Sequence, residues 1–467
     1  MDQQMDQSYL FDAELIRRYD KSGPRYTSYP TAVQFHEKFQ SNEYQEVARV
    51  SNEDPIPRPL SLYFHLPFCA TVCFYCGCNK IITNNRKRAE PYLERLHKEI
   101  AMHAELYDDD RKVDQLHWGG GTPTFISPEQ MRNLMAKTAK HFNLRDDDSG
   151  EYSIELDPRE VKKETLSLLR ELGFNRISLG VQDLHEDVQK AVNRIQPQDI
   201  TEAVLTSARQ EGFHSISMDL IYGLPLQTVE SFSKTLDEVI KMSPDRLAIY
   251  NYAHMPSMFK VQRQINEAEL PSANEKLEIL HHAIDRMTAA GYVYIGMDHF
   301  AKPNDELTVA QKNGSLYRNF QGYSTHSGCD LIAMGVSSIS KVGFTYSQNY
   351  RDTEAYIKSI DNDELPIFRG VQLDLDDVLR REVITRLICN FTLDCSAISK
   401  KHNINFNEYF VEEMDALKEM QDDGMLRINS DSLDVLPSGR LLIRNICSVF
   451  DIYNRQQKET PRFSRMV

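Results

Sequence analysis

Between residues 60 and 255 the sequence alternates between short apolar runs and longer helical patterns. Strand-like runs fall at 60–66, 113–118, 152–156, 176–181, 215–221 and 246–250. Helical periodicity occupies 91–105, 128–142, 163–172, 199–211 and 229–241 between them. Strands that alternate with helices over short links pair in parallel, because each helix must cover the sheet before the chain returns. Six such units are too few to close an eight-stranded barrel. The pattern therefore predicts an α/β fold, a partial and open (β/α)6 barrel with its helices outside.

Parallel α/β folds place their chemistry at the carboxyl ends of the strands, and that is where the polar residues fall. The second run leads into Trp118-Gly119-Gly120-Gly121-Thr122-Pro123. The third ends at Glu155 and Asp157, the fourth at Gln182, the fifth at Asp219 and the sixth at Asn251. Three glycines after a strand let a ligand approach backbone N–H and C=O groups, although a plain tight turn has the same composition. Glu155 or Asp157 can accept from ribose hydroxyls. Asp157, just ahead of Pro158-Arg-Glu160, equally suits a helix N-cap.

The first run leads into His65-Leu-Pro-Phe-Cys69-Ala-Thr-Val-Cys73-Phe-Tyr-Cys76-Gly-Cys78-Asn-Lys80. A loop with three cysteines spaced C-x3-C-x2-C can aim three thiolates at one inorganic centre. Iron–sulfur clusters are held by cysteine thiolates, usually four; with three, one iron stays open, as catalytic metal sites do. Zinc remains an alternative, but it favours two separated C-x2-C pairs, and Cys329, Cys389, Cys395 and Cys447 are isolated. Cys78 is either a fourth ligand or a residue acting beside the centre. His65 and His299 could each serve as a general acid or a metal ligand, although a histidine so placed is more often a hydrogen-bonded core residue.

Outside the barrel, residues 1–55 form an N-terminal arm: a short amphipathic helix over 13–19, then the turn-rich Ser22-Gly-Pro-Arg25-Tyr-Thr-Ser-Tyr-Pro30-Thr. The arm reads as a cover that offers Arg25, Tyr26 and Tyr29 to a flat anionic ligand. Residues 56–370 are expected to form the catalytic domain and its extension, with a helix over 271–290, a further strand over 292–300 and a polar, aromatic loop at Asn319-Phe-Gln321-Gly-Tyr323. Residues 371–467 turn helical, at 376–388, 406–422 and 440–450, with a hairpin within 424–436. That C-terminal domain reads as mostly helical and winged-helix-like. Its acidic 407–415 stretch argues against DNA and for a cap or lid.

Charge and hydropathy narrow the classes further. A net charge of −15 over 467 residues is unsuited to general nucleic-acid binding. No apolar run reaches the roughly 18 residues of a membrane span. The polar start Met1-Asp-Gln-Gln-Met does not read as a signal peptide, so a cytoplasmic protein with reduced thiols is expected.

C-x3-C-x2-C after a strand resembles the signature of the radical S-adenosylmethionine enzymes. With Cys78-Asn79-Lys80 attached, the string is similar to the oxygen-independent coproporphyrinogen III oxidases. The likeness continues through Gly23-Pro-Arg-Tyr-Thr-Ser-Tyr-Pro30, His117-Trp-Gly-Gly-Gly-Thr-Pro123, Ile154-Glu-Leu-Asp-Pro-Arg159, Gly180-Val-Gln182-Asp, Asp219-Leu-Ile-Tyr-Gly-Leu-Pro225, Asn319-Phe-Gln-Gly-Tyr323 and Gly439-Arg-Leu-Leu-Ile-Arg-Asn-Ile-Cys447. The resemblance implies a [4Fe-4S] cluster on Cys69, Cys73 and Cys76, with S-adenosylmethionine on the fourth iron near Tyr63, Gly120, Glu155 and Ile339. It implies room for a second S-adenosylmethionine near Tyr75, Gly121, Thr122, Gln182, Arg194, Asp219 and Ala253. One departure is visible: the family pattern has Tyr-Phe where this chain has Phe74-Tyr75.

The implied reaction is oxidative decarboxylation of two propionates of coproporphyrinogen III to vinyl groups, giving protoporphyrinogen IX in anaerobic haem synthesis. A carbon radical released from S-adenosylmethionine would begin each cycle by removing hydrogen from a propionate. The catalytic residues are unassigned. Tyr63, Lys80 and Arg25 are candidates for substrate positioning, and Lys21, Arg86, Lys87 and Arg88 lie near them in sequence. The resemblance also implies an external electron donor such as flavodoxin and a monomeric enzyme. The alternative is the related haem chaperone, which lacks both the Cys78-Asn79-Lys80 extension and the tyrosine-rich arm.

Overall fold

The computed structural model describes residues 9–456. The Met1-Asp-Gln-Gln-Met stretch and residues 457–467 of the predicted C-terminal domain lie outside the described residues. The chain divides into two compact units. One comprises residues 35–282 and 328–372; the other comprises, of the described residues, 9–34, 283–327 and 373–456.

The first unit is built on ten strands. In chain order they are β1 (Leu60–Leu66), β2 (Lys112–Gly120), β3 (Glu151–Leu156), β4 (Arg176–Gln182), β5 (Ser215–Tyr222), β6 (Arg246–Asn251), β7 (Asp330–Met334), β8 (Ile339–Val342), β9 (Thr345–Asn349) and β10 (Ile367–Gln372). Their spatial order is β6-β5-β4-β3-β2-β1-β7-β8-β9-β10. β1 to β6 are parallel neighbours in sequence order, as expected for right-handed βα units. β7 adds in parallel to the other side of β1, and the remaining strands return antiparallel. The sheet is not closed into a barrel by this order, so the partial (β/α)6 reading holds.

Period-2 alternation decides which residues face the helices. In β4, Ile177, Leu179 and Val181 are buried while Ser178, Gly180 and Gln182 take the opposite face. β3 and β5 repeat this, burying Ile154 and Leu156, and Met218 and Leu220. Each such side chain contributes about 1.5–3 kcal/mol on burial. The polar face thereby carries Glu155, Ser178 and Asp219, and the register sets Glu155 beside Ser178 and Gly180 beside Asp219.

β1 is buried almost throughout because it lies mid-sheet with both neighbours paired. At its start, Arg111 and Asp330 form a buried ion pair at 2.7 Å. Near its end, the fully buried Glu99 accepts from Gly335 N–H (2.8 Å), Asn349 Nδ2 (2.7 Å) and the Tyr356 hydroxyl (2.6 Å). The Tyr92 hydroxyl donates to His65 O at 2.7 Å and accepts from Val336 N–H at 3.0 Å. These buried polar groups are satisfied, which turns a potential penalty into a fixed geometry at the end of β1.

The second unit is mainly helical, with helices Ala13–Tyr19, Leu375–Asn390, Cys395–His402, Val411–Asp422 and Ile443–Val449. Thr392–Asp394, Ser432–Val435 and Leu426–Ile428 form a three-stranded antiparallel sheet beside them. Four expectations change here. The run 292–300 is two short strands, Val293–Gly296 and His299–Ala301, because Met297 takes φ 55° and turns the chain. The helix expected over 406–422 breaks at Phe410, and that over 440–450 begins as a 3-10 turn, Pro437–Leu442. Tyr26 and Tyr29, expected to be offered to a ligand, are buried at 4% and 2% exposure. The Tyr26 hydroxyl donates to Asp451 at 3.0 Å and the Tyr29 hydroxyl accepts from Ile452 N–H at 3.3 Å. Their rings bury apolar area while each hydroxyl keeps a hydrogen-bond partner.

Candidate active site

The cysteine loop leaves β1 after Leu66 and is held at several points. Phe68–Cys69 pairs in parallel with Ile81–Ile82, Ile81 N–H donates to Pro67 O at 2.7 Å and Thr83 N–H to Cys69 O at 3.0 Å. Further on, Phe74 N–H donates to Val192 O at 3.0 Å and Asn193 Nδ2 to Val72 O at 2.7 Å. Phe74 and Tyr75 pack on Val188, Val192, Leu224, Tyr252 and Ile265. Both aromatics thus serve one apolar seat, which explains how the order Phe-Tyr is accommodated.

The glycine triplet closes against this loop. Gly121 N–H donates to Leu66 O at 2.9 Å and Thr122 N–H to Phe68 O at 2.8 Å. Gly120 has φ 110°, and a Cβ there would lie 2.6 Å from the His65 ring. These glycines serve close backbone approach.

Cys69, Cys73 and Cys76 line one cavity of about 330 Å3 with Tyr75, Lys80, Gly120, Gly121, Thr122, Glu155, Gln182, Arg194 and Asp219. Twelve sequence-predicted positions therefore converge. Tyr63 stacks on His117 at 5.7 Å, outside the lining, and its hydroxyl meets His65 Nδ1 at 3.2 Å. Ala253 O and Tyr75 O share the Gln262 Nε2 donor at 3.3 and 3.0 Å. Ile339 opens β8. Arg25 belongs to the other unit and pairs with Asp298 at 2.7 Å.

Sequence reasoning did not anticipate Thr71, Arg159, Ser178, Gly180 and Tyr250 in the lining, and left Asp157 and Cys78 open; all seven line it. Asp157 takes the capping role weighed for it and adds two ion pairs. It accepts from Arg159 N–H as a cap at 3.1 Å, and it pairs with Arg159 (2.6 Å) and Arg194 (3.0 Å). The Arg-rich strand end of Asp157-Pro-Arg159 was the available signal.

The electrostatics suit an anionic, thiolate-bound group. Arg194 Nη1 lies 3.5 Å from Cys73 Sγ and Arg159 Nη2 3.9 Å from it. Thr122 Oγ1 lies 3.6 Å from Cys69 Sγ. Hydrogen bonding from Cys78 pulls the Cys76 thiol down to about 5, with Lys80 assisting against burial. Burial pushes Cys69 up to about 11; a metal ion would supply the charge that ionises it. Thiols from Cys69, Cys73, Cys76 and Cys78, with two arginines and a lysine in the same lining, fit an anionic thiolate-bound cluster.

The two carboxyl groups shift in opposite directions. Burial alone would raise Glu155, but His117 Nε2 (3.3 Å) and Gly120 N–H (3.0 Å) hold its pKa below the usual carboxylate value. Burial, then the charge of Glu155, raises Asp219 to about 7, although Ser178 donates to it at 3.1 Å. Burial lowers the pKa of His65, keeping it neutral; Nε2 donates to Asn79 O at 3.0 Å and Nδ1 accepts from Tyr63. His65 is thus a positioning group on the Asn79-Lys80 segment.

Comparison with known proteins agrees with this geometry. Residues 63–239 match the radical SAM superfamily and residues 373–442 the HemN C-terminal domain. The oxygen-independent coproporphyrinogen III oxidase of Pseudomonas aeruginosa is 52% identical over 98% of this chain and 99% of its own. That of Salmonella typhimurium is 48% identical over 99% of this chain and all of its own. The solved coproporphyrinogen III oxidase (HemN) of Escherichia coli, described as a radical SAM enzyme, superposes with a TM-score of 0.91. It shares 46% identity and covers 96% of this chain and 100% of its own. With that identity sustained over nearly its whole length, the chain belongs to the oxygen-independent coproporphyrinogen III oxidases of the radical S-adenosylmethionine superfamily.

Proposed function

We propose that this chain oxidatively decarboxylates two propionate side chains of coproporphyrinogen III to vinyl groups, forming protoporphyrinogen IX. The observation that carries the reading is the convergence of Cys69, Cys73 and Cys76 with the glycine edge and the strand-end carboxylates around one cavity. When bound, a [4Fe-4S] cluster and S-adenosylmethionine supply one-electron chemistry that removes hydrogen from a propionate.

Cys69, Cys73 and Cys76 hold the cluster. Arg194 and Arg159 compensate thiolate charge at Cys73. Gly120 and Gly121 leave backbone edges open to the methionine end of S-adenosylmethionine, and Glu155 accepts from its ribose hydroxyls, with Tyr63 and Ile339 at its flanks. A second S-adenosylmethionine would meet Tyr75, Gly121, Thr122, Gln182, Arg194, Asp219 and Ala253. Lys80, whose Nζ already donates to Cys76 O at 3.1 Å, stands between cluster loop and substrate. The protein's part in the reaction is to orient the propionate and exclude water around it.

An external one-electron donor, of which flavodoxin is our choice, feeds a monomeric enzyme. Residues 56–370 serve as the catalytic domain, with 1–55 as an arm and 371–467 as the C-terminal domain. Among the described residues no helix is long and apolar enough to cross a membrane. The test is anaerobic incubation of reconstituted protein with coproporphyrinogen III, S-adenosylmethionine and reductant. Release of carbon dioxide with formation of protoporphyrinogen IX is expected; a loaded protein that cleaves S-adenosylmethionine yet leaves every propionate intact would overturn the reading.

A further inference from the structure

Asp157 follows β3 and caps the 3-10 turn Pro158–Glu160, accepting from Arg159 N–H at 3.1 Å. The turn brings the Arg159 side chain back onto its own cap. Nε donates to Asp157 Oδ1 at 3.0 Å and Nη2 to Oδ2 at 2.6 Å. Such a two-pronged pair fixes the plane of a guanidinium as well as its position. Held there, Nη2 also reaches Thr71 Oγ1 at 3.4 Å and Cys73 Sγ at 3.9 Å. Arg194 meets the same two groups, with Nη1 3.0 Å from Asp157 Oδ2 and 3.5 Å from Cys73 Sγ. Its Nη2 donates to Gly180 O at 2.6 Å.

Among the described residues both guanidinium groups form ion pairs with Asp157 and with no other carboxylate. Two positive charges therefore share one negative charge, and the excess faces the Cys73 sulfur. Glu155, the neighbouring acid in the lining, is engaged by His117 and Gly120 instead. The Arg159 and Asp157 side chains are only 18% and 10% exposed, so salt screens them less than it screens surface charges. The reduction potential of an iron–sulfur cluster depends on net charge, hydrogen bonds to its sulfurs and exposure to solvent. One electron from the external donor adds one negative charge to a cluster held by Cys73 and its two companion thiolates. A fixed positive charge at Cys73 Sγ stabilises that more negative form, and a fixed negative charge beside it does the reverse.

We propose that Arg159 and Asp157 form an opposed pair that sets the reduction potential of the cluster, Arg159 raising it through Cys73 and Asp157 limiting the rise. The assignment rests on the cluster reading above and deepens it. Both residues become positioning groups that decide how readily the enzyme accepts its electron. Arg194 adds to the same charge, but it also holds Gly180 O, so its loss would disturb the end of β4 as well.

The test is anaerobic potentiometry of reconstituted wild type, Arg159→Gln, Arg159→Lys and Asp157→Asn, matched for iron and sulfide. The electron paramagnetic resonance of the reduced cluster reports each potential. Arg159→Gln is expected to shift the reduction equilibrium about tenfold towards the oxidised form, a fall of about 59 mV for one electron. Arg159→Lys, which keeps the charge without the fork, should recover most of that fall. Asp157→Asn, whose amide oxygen can still cap the turn, should shift the equilibrium the other way. A purely structural role would not produce shifts of opposite sign. Should Arg159→Gln fail to fold or to hold its cluster, the sign of the Asp157→Asn shift still decides. Shifts of Arg159→Gln and Asp157→Asn in the same direction, or an equilibrium within about twofold of wild type in either loaded variant, would overturn the assignment. A wild type that assembles no cluster would instead sink the functional reading itself.

Discussion

Gly121 N–H donates to the Leu66 carbonyl at 2.9 Å, tying the glycine triplet at the end of β2 to the last residue of β1. A Cβ at Gly121 would stand 2.7 Å from Phe68 O and from Pro67 C, both backbone atoms. Nothing there can rotate away. Gly121→Ala must push the two strand ends apart, and with them the cysteine loop and the Thr122 hydroxyl near Cys69. The variant is expected to fold, because the clash is local, but to lose S-adenosylmethionine cleavage by at least a hundredfold, consistent with the sensitivity of reaction geometry to displacements of about 1 Å. Comparing circular dichroism with anaerobic cleavage assays checks this.

The Asp219 carboxyl gives a pH signature. Its folded pKa, raised to about 7 from 3.8 by burial and the neighbouring Glu155, means that the folded state binds its proton more tightly than the unfolded chain. That contribution to stability is fully present below about pH 4 and declines as pH rises towards 7. Asp219→Asn mimics the protonated form. It should therefore be more stable than wild type at pH 8, by an amount of order 2–4 kcal/mol, with the gap closing towards pH 4. Urea midpoints measured across that range test the sign.

Much of this was legible beforehand, because the relevant forces are local. β1 and the helix Ala13–Tyr19 begin and end where apolar periodicity begins and ends. Strand polarity then sent Glu155, Gln182 and Asp219 to one rim with the cysteine loop. What escaped depends on contacts distant in sequence. Arg194 meets Asp157 and Cys73 across separations of 37 and 121 residues, and no spacing rule connects them. Tyr26 and Tyr29 looked available to a ligand because a turn-rich arm has no period to reveal that Asp451 and Ile452 await it. The turn at Met297 interrupts an apolar run in which only a lone Gly296 hinted at a break.

Buried charge at the start of β1 predicts a stability loss without a catalytic one. Arg111 Nη2 meets Asp330 at 2.7 Å with both side chains almost wholly buried, and Arg111 also donates to Arg58 O and Ser51 Oγ at 2.9 Å. Removing one partner strands the other, at about 3–5 kcal/mol. Arg111→Met should lower the urea midpoint accordingly. Surviving protein, matched for iron, should retain its KM for coproporphyrinogen III.

A smaller effect is expected in the C-terminal region. Glu382 accepts from Lys401 (2.7 Å), His402 (3.0 Å) and Arg386 (2.9 Å), and these partners, against burial, lower its pKa to about 2. The stabilisation is present above pH 4.5 and is lost as pH falls towards 2. Glu382→Gln should destabilise by about 1–2 kcal/mol at pH 7, and the difference from wild type should shrink as the solution is acidified below 4.5.

The most direct trial of the central claim measures iron, sulfide and S-adenosylmethionine cleavage in four anaerobically reconstituted variants, Cys69→Ala, Cys73→Ala, Cys76→Ala and Cys78→Ala. The account predicts that each of the first three loses the intact cluster and all cleavage, whereas Cys78→Ala retains about four irons per chain. A Cys78 variant as iron-depleted as the others, or a full cluster that still cleaves S-adenosylmethionine without one of the three predicted ligands, would contradict it.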